Sequence, residues 1–342
     1  MKVGILQFFG WRDRSVPLNS VYEAALERFA IMDQTGYDAV WLAEHHFSSF
    51  SVCPSVHMMG TMAAARTKRL RIGTAVSLAP FYNPLRLAEE TATIDQISKG
   101  RFLLGAGRSG NPRAYAAYGV PYSESRERFY ETLEVLKLAW SQDVFSFHGK
   151  FHHFDEAKAV PRPYQKPYPE IRIAGASEDT FPMLGALGHP LFVAVRSGTL
   201  SGLAPDLEAY RAAYKAAGHP GKGQVHLRLS MHVAETDAQA DAESKDSIMG
   251  GYGLLKSQLE GSPNARRRAE LADVQSLTFD LAKRDKVVVG SPDTVAARLL
   301  QLKEELGIDG ILAELNFGAK IPPDAMMRSC QLLCQVVRPR LQ

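Results

Sequence analysis

Short runs rich in Val, Ile and Leu alternate along the chain with segments whose apolar residues recur three and four positions apart. The runs read as strands at 2–8, 38–42, 69–77, 101–105, 170–174, 190–195, 224–233 and 310–315. The segments between them read as amphipathic helices, for example through Val21, Ala24, Ala25, Phe29 and Met32, and again through Leu133, Leu136 and Leu138. Strand and helix in regular alternation build a parallel sheet, and eight such units match the count of a (β/α)8 barrel. A doubly wound open sheet shares the alternation, but its nucleotide-binding form needs a Gly-x-Gly-x-x-Gly turn after the first strand. That place holds Phe8-Phe9-Gly10-Trp11, so the barrel is the expected α/β architecture.

A barrel of this kind takes about 250 residues, which leaves about 90 of the 342 for insertions. Two regions stand out. Residues 144–169, after the fourth helix and before the fifth strand, read as a small hairpin followed by a Pro-rich link. Residues 244–286, after the seventh strand, are polar and cationic with several glycines, and read as a long loop over the site, a candidate lid. The fourth helical segment has Ser123 or Ser125 as its expected cap. Residues 1–342 then form one domain.

Composition narrows the class. Lys plus Arg number 40 against 37 for Asp plus Glu, with no block of like charge, which argues against electrostatic binding of nucleic acid or of a membrane surface. No apolar run approaches the ~20 residues that cross a bilayer. The N-terminus meets Trp11-Arg12-Asp13 after a few apolar residues and reads as a first strand, not a signal peptide. Three cysteines are too few for a disulfide scaffold. A cytoplasmic protein is expected.

In such barrels the active site is assembled at the C-terminal ends of the strands. Those ends carry Phe8 and Phe9, Glu44-His45-His46, the stretch 77–81, Arg108 and Ser109, Gly175-Ala176-Ser177, Arg196-Ser197 and Asn316. No Cys-x-x-Cys and no His-Glu-x-x-His occurs, so no metal site is expected. Neighbouring residues at a strand end point to opposite faces, so one of His45 and His46 should face the mouth and the other the helices. The plainer reading, two histidines hydrogen-bonded in a packed loop, gives way here to the position at the catalytic end. Gly105 and Gly107 let a flat ligand approach the backbone, and Arg108 offers a planar fork suited to phosphate. Ser177 and Thr180 stand at a helix start, where capping and anion binding use the same donors. Val287-Val-Val-Gly-Ser-Pro-Asp-Thr294 imitates a phosphate loop, but Ser291, Pro292 and Asp293 explain it as an ordinary helix start. Cys330 and Cys334 read as core, and His148, His152 and His153 as a solvated hairpin face.

Several ordered stretches together resemble the bacterial luciferase-like flavin-dependent monooxygenases. They are Trp41-Leu-Ala-Glu-His-His-Phe47, Ile72-Gly-Thr-Ala-Val76 with Pro80 and Asn83-Pro84, Ala88-Glu-Glu90, Asp95-Gln-Ile-Ser-Lys-Gly-Arg-Phe102, Gly105 to Arg108, Val289-Gly-Ser-Pro292 and the closing Val336-Val-Arg-Pro-Arg-Leu341. The resemblance implies a barrel that takes reduced FMN from a separate flavin reductase, reacts it with O2 to a flavin hydroperoxide and oxidises a small organic substrate. It implies that His45 is the catalytic histidine beside the flavin ring, with Glu44 next to it as a cofactor-binding residue and His46 structural. It also implies that Ala75 and Val76 lie against the flavin through a non-prolyl cis peptide, and that Arg108, Ala174, Gly175, Ser177 and Thr180 hold the cofactor. Phe8, Phe9, Phe81 and Tyr115 would then line the substrate pocket, and homodimerisation through the early helices is expected.

The pattern departs from the light-emitting members at Gly107, where they carry a reactive cysteine, and at Ala114, where they carry an aspartate, so light emission is not implied. Two other readings share the fold: an oxidoreductase that uses the deazaflavin F420 for hydride transfer, and a non-catalytic flavin-binding protein. Glu44-His45-His46-Phe47 resembles the FMN branch more, and the two insertions favour an enzyme.

Overall fold

The computed structural model describes residues 1–175, 180–195, 198–260 and 265–342. The principal strands are β1 (Lys2–Gln7), β2 (Ala39–Leu42), β3 (Arg71–Thr74), β4 (Phe102–Gly107), β5 (Ile171–Ala174), β6 (Leu191–Ala194), β7 (Val225–Val233) and β8 (Gly310–Glu314). The early helices are α1 (Leu18–Thr35), α2 (Val56–Arg66), α3 (Pro84–Ser98), α4 (Pro112–Ala117) and α5 (Ser125–Ser141). The fold is the expected (β/α)8 barrel.

The chain divides into two units. One comprises Gln7–Gln34 and Ala39–Ala174; the other comprises Met1–Leu6, Thr35–Asp38 and Gly175–Gln342. In the first, β2, β3, β4 and β5 lie parallel in that order, with Leu42 opposite Thr74, Gly73 opposite Leu103 and Leu104 opposite Ile171. In the second, β6, β7, β8 and β1 follow, with Val225 opposite Leu191, His226 opposite Gly310 and Val3 opposite Ile311. Both faces of these strands are covered, so they read as continuous apolar runs.

Local chemistry sets most boundaries. The Asn83 side chain accepts from the backbone N–H groups of Leu85 and Arg86 with Pro84 in the first turn, and Lys99 ends α3 in the left-handed region at φ 55°. Ser55 caps α2, and Ser291 caps the helix Pro292–Leu306 as expected, with Gly307 closing it. α5 differs from expectation. A 3-10 turn, Tyr122–Glu124, leads straight into it without a side-chain cap, and the Ser125 hydroxyl accepts instead from Arg108.

The long strand expected over 69–77 is interrupted. Ala75–Val76 is a cis peptide, and Ser77–Leu78 resumes as a short strand beside Ala106 and Gly107. The expected hairpin forms from Phe145–His148 and His153–Ala157. Residues 244–286, expected as an irregular loop, are instead largely helical, as Asp237–Leu259, Ala265–Gln275 and Phe279–Asp285. Thr236 and Thr278 cap two of these helices, and Ala240, Ile248, Phe279 and Ala282 bury against Val287 and Val289. The apolar positions are spaced for a helix, and the surrounding charges mask that period. Residues 261–264 lie outside the described residues.

One side chain ties three elements together at the far end of the barrel. The Arg101 guanidinium donates to the carbonyls of Ala64, Thr67, Leu70 and Ser98 and to the Thr67 hydroxyl, at 2.7–3.1 Å. Arg101→Ala strips those acceptors of a charged donor and should lower unfolding stability by about 2–4 kcal/mol in a urea titration, with Arg101→Lys recovering part of it.

Candidate active site

Beyond β2 the chain turns out of the sheet with Glu44 buried at 4% exposure. A carboxylate taken from water needs donors to replace its hydration. Glu44 has three: Oε2 accepts from the Leu78 backbone N–H at 3.1 Å and from the Tyr82 hydroxyl at 2.9 Å, and Oε1 meets His46 Nε2 at 2.8 Å. Burial, and then the Glu44 charge, hold the Tyr82 phenol far above its ordinary pKa, so it stays a donor. His46 Nδ1 in turn meets the Tyr118 hydroxyl at 2.9 Å. A second histidine grips the same stretch from behind. His57 bonds Ser77 Oγ and Glu90 Oε2, each at 2.9 Å, and Arg86 holds Glu90 at 2.6 Å.

The segment so fixed carries the cis peptide Ala75–Val76, and Val76 leans on β4. A Cβ built on Gly107 would lie 2.5 Å from Val76 Cγ2. Glycine at 107 is therefore what lets Val76 sit there. The next residue, Arg108, opens into a cavity of about 560 Å³ lined also by Arg126, Lys150, Ser123 and Ser125 and by the carboxylates Glu124 and Glu127. Arg108 Nη1 donates to Ser125 Oγ at 3.0 Å, while Glu127 engages Lys150 at 2.7 Å. Two arginine forks and two hydroxyls are a donor set suited to a phosphate.

The sequence profile of the luciferase-like monooxygenases matches residues 1–310. The chain belongs to that family. An FMNH2-dependent dimethylsulfone monooxygenase of Pseudomonas putida is 28% identical over 261 residues, covering 73% of this chain and 70% of its own. An F420-dependent glucose-6-phosphate dehydrogenase of Kineococcus radiotolerans is 27% identical over 300 residues, covering 82% and 86%. The crystal structure of the monooxygenase RslO1 from Streptomyces bottropensis superposes with a TM-score of 0.86 at 26% identity, covering 100% of both chains.

Within this member of the family, the expected site residues fare unequally. His45 lies with its ring 5.2 Å from that of Phe8 and 5.4 Å from that of Phe50. Phe8 and Phe81 are partly exposed, but Phe9 and Tyr115 are wholly buried. Phe9 packs 6.0 Å from Tyr22 with its N–H on Ser51, so it is core and not pocket surface. Tyr115 supports Phe81 at 4.6 Å from beneath. Glu44 is committed to protein donors on both oxygens.

Ala174 is exposed at the end of β5, Gly175 is buried beside Phe181 and Leu184, and Thr180 opens the helix Thr180–Ala186. Ser177, Ala176, Arg196 and Ser197 lie outside the described residues. Tyr118, Lys150, His57 and Arg126 escape a reading of the sequence, because the first three join His46, Glu127 and Ser77 across 72, 23 and 20 residues with no local motif, and Arg126 only lines the cavity. Their only signal is type: cations following a glycine-rich turn and its arginine, and an aromatic six residues beyond Pro112.

Gly107→Ala should cost about 1–3 kcal/mol in thermal or urea unfolding through the clash with Val76. The same substitution in a Val76→Ala background should be nearly neutral, a coupling that a double-mutant cycle measures directly.

Proposed function

We propose that this chain is the oxygenase of a two-component system: it takes reduced FMN from a separate flavin reductase and, with O2, oxidises a small organic substrate. The observation that carries this reading is that a wall and an anion site are contiguous. Val76 of the cis peptide rests on Gly107, and the following residue opens the cavity where Arg108 and Arg126 present their guanidinium groups, with Lys150 held by Glu127. A molecule with a flat ring system and a terminal phosphate needs both at once. The bound flavin supplies the oxygen chemistry; the chain binds, orients and keeps water away.

In this reading Arg108, with Arg126 beside it, holds the phosphate. Ala75 and Val76 support the ring. His45, set against Phe8 and Phe50, moves a proton next to the ring at its imidazole, and Phe8 and Phe81 face the substrate. The working protein is a cytoplasmic homodimer.

Titration with reduced FMN and with reduced F420, without oxygen, tests the cofactor. FMN should bind the more tightly, and Arg108→Ala should weaken it roughly ten- to a hundredfold, the cost of a hydrogen bond to a charged partner. Tighter binding of F420, or equal FMN affinity in the variant, would overturn the assignment. His45→Ala should lose about 10²–10⁴ in single-turnover oxidation while keeping its FMN affinity, as removal of a general acid–base group does. A normal rate would place the proton chemistry elsewhere.

A further inference from the structure

Three groups stand in line behind the end of β2: the Glu44 carboxylate, the His46 imidazole 2.8 Å from it, and the Tyr118 hydroxyl 2.9 Å beyond. An ionised carboxylate only accepts, so His46 carries its hydrogen on Nε2 and offers the Nδ1 lone pair to Tyr118. Carboxylate, imidazole and hydroxyl in this order form the arrangement in which, in hydrolases, the imidazole takes the hydroxyl proton and later returns it while the carboxylate steadies the imidazolium. Here the terminal hydroxyl is a phenol, suited to proton transfer and not to acyl transfer.

Exposure runs in one direction along the line. The Glu44 side chain is fully buried and that of His46 is 7% exposed, whereas Tyr118 is 44% exposed. Only the tyrosine can meet a ligand. Its ring lies 4.9 Å from Phe81 and 5.6 Å from Phe47, and His46 stands edge-on to both Phe81 and Tyr118. The hydroxyl is thus set in an aromatic surface.

The other titratable groups around Glu44 do not compete for the proton. Burial, and then the Glu44 charge, keep Tyr82 protonated and push Cys53 up to about 12. The same two causes raise Tyr118, so it rests as the hydroxyl and gives up its proton only to His46.

We propose that Tyr118, His46 and Glu44 form a proton-transfer triad that recognises a phenolic substrate and deprotonates it. The phenol proton passes to the Tyr118 oxygen as the Tyr118 proton passes to His46 Nδ1. The products are a phenolate, a neutral tyrosine and an imidazolium facing the Glu44 carboxylate, with no oxidant consumed. The inference rests on the monooxygenase reading only for the use of the phenolate, an electron-rich ring being the easier one to oxidise. Tyr118 is then a catalytic residue, and His46 and Glu44 act through it.

4-Nitrophenol, whose phenolate is coloured, is the probe, titrated across pH into the full-length protein with and without reduced FMN. Bound 4-nitrophenol should ionise at lower pH than free 4-nitrophenol. Tyr118→Phe should weaken binding about tenfold, the loss of one hydrogen bond to a charged oxygen. His46→Asn should leave the hydroxyl and most of the affinity but abolish the ionisation shift, which a mere loss of packing does not move. The absence of binding, equal affinity in Tyr118→Phe, or a full shift in His46→Asn overturns the triad. Reduced FMN is titrated in parallel into the wild type. An intact shift without FMN binding defeats the cofactor reading and leaves the triad standing.

Discussion

A buried carboxylate must find donors or give up its charge, and around Glu44 that requirement organises the site. Its partners come from three loops that follow different strands: Leu78 and Tyr82 after β3, His46 after β2, and through His46 the hydroxyl of Tyr118 after β4. Apart from the two-residue strand Ser77–Leu78 and short helical turns, those segments have no regular structure of their own. Each takes its position from a hydrogen bond that the charge makes expensive to break. Burial, and then the same charge, keep its neighbours Tyr82 and Cys53 protonated, so Glu44 is surrounded by neutral donors.

The stretch 75–82 is consequently held from both sides. Glu44 takes its backbone at Leu78 and its side chain at Tyr82, while His57 takes Ser77 and is itself fixed by Glu90 and Arg86. The Tyr82 ring lies 5.3 Å from that of His57, so the two grips touch. Between them the chain can present the Ala75–Val76 peptide as a rigid wall against Gly107. Rigidity of this kind suits a site that must orient a flat cofactor and keep water out, since positioning there rests on packed residues and not on a mobile loop.

The insertion after β7 shows how composition misleads where period does not. Residues 244–286 are rich in charge and glycine, and that composition reads as a loop. The chain nevertheless folds into helices, because Ala240, Ile248, Phe279 and Ala282 present one apolar face to Val287 and Val289. A few large residues at helical spacing suffice to bury a stripe, and the charges occupy the other faces.

The sequence by itself determined the order of strands and helices, the barrel count, the cap at Ser291 and the arginine after the glycine-rich turn. Those features depend on neighbours within four residues or on a period of two or 3.6, which a linear pattern records. Glu44, His45 and His46 were legible as a candidate site, but not the partners of Glu44 and His46 outside that tripeptide. Only the tertiary structure decided that His46 joins Glu44 to Tyr118, that Phe9 is core, and that Arg126 and Lys150 share a cavity with Arg108. These are contacts across tens of residues between loops, and no local propensity sets them. They follow from strand register and from the need of a buried charge for donors, both of which exist only once the chain has closed.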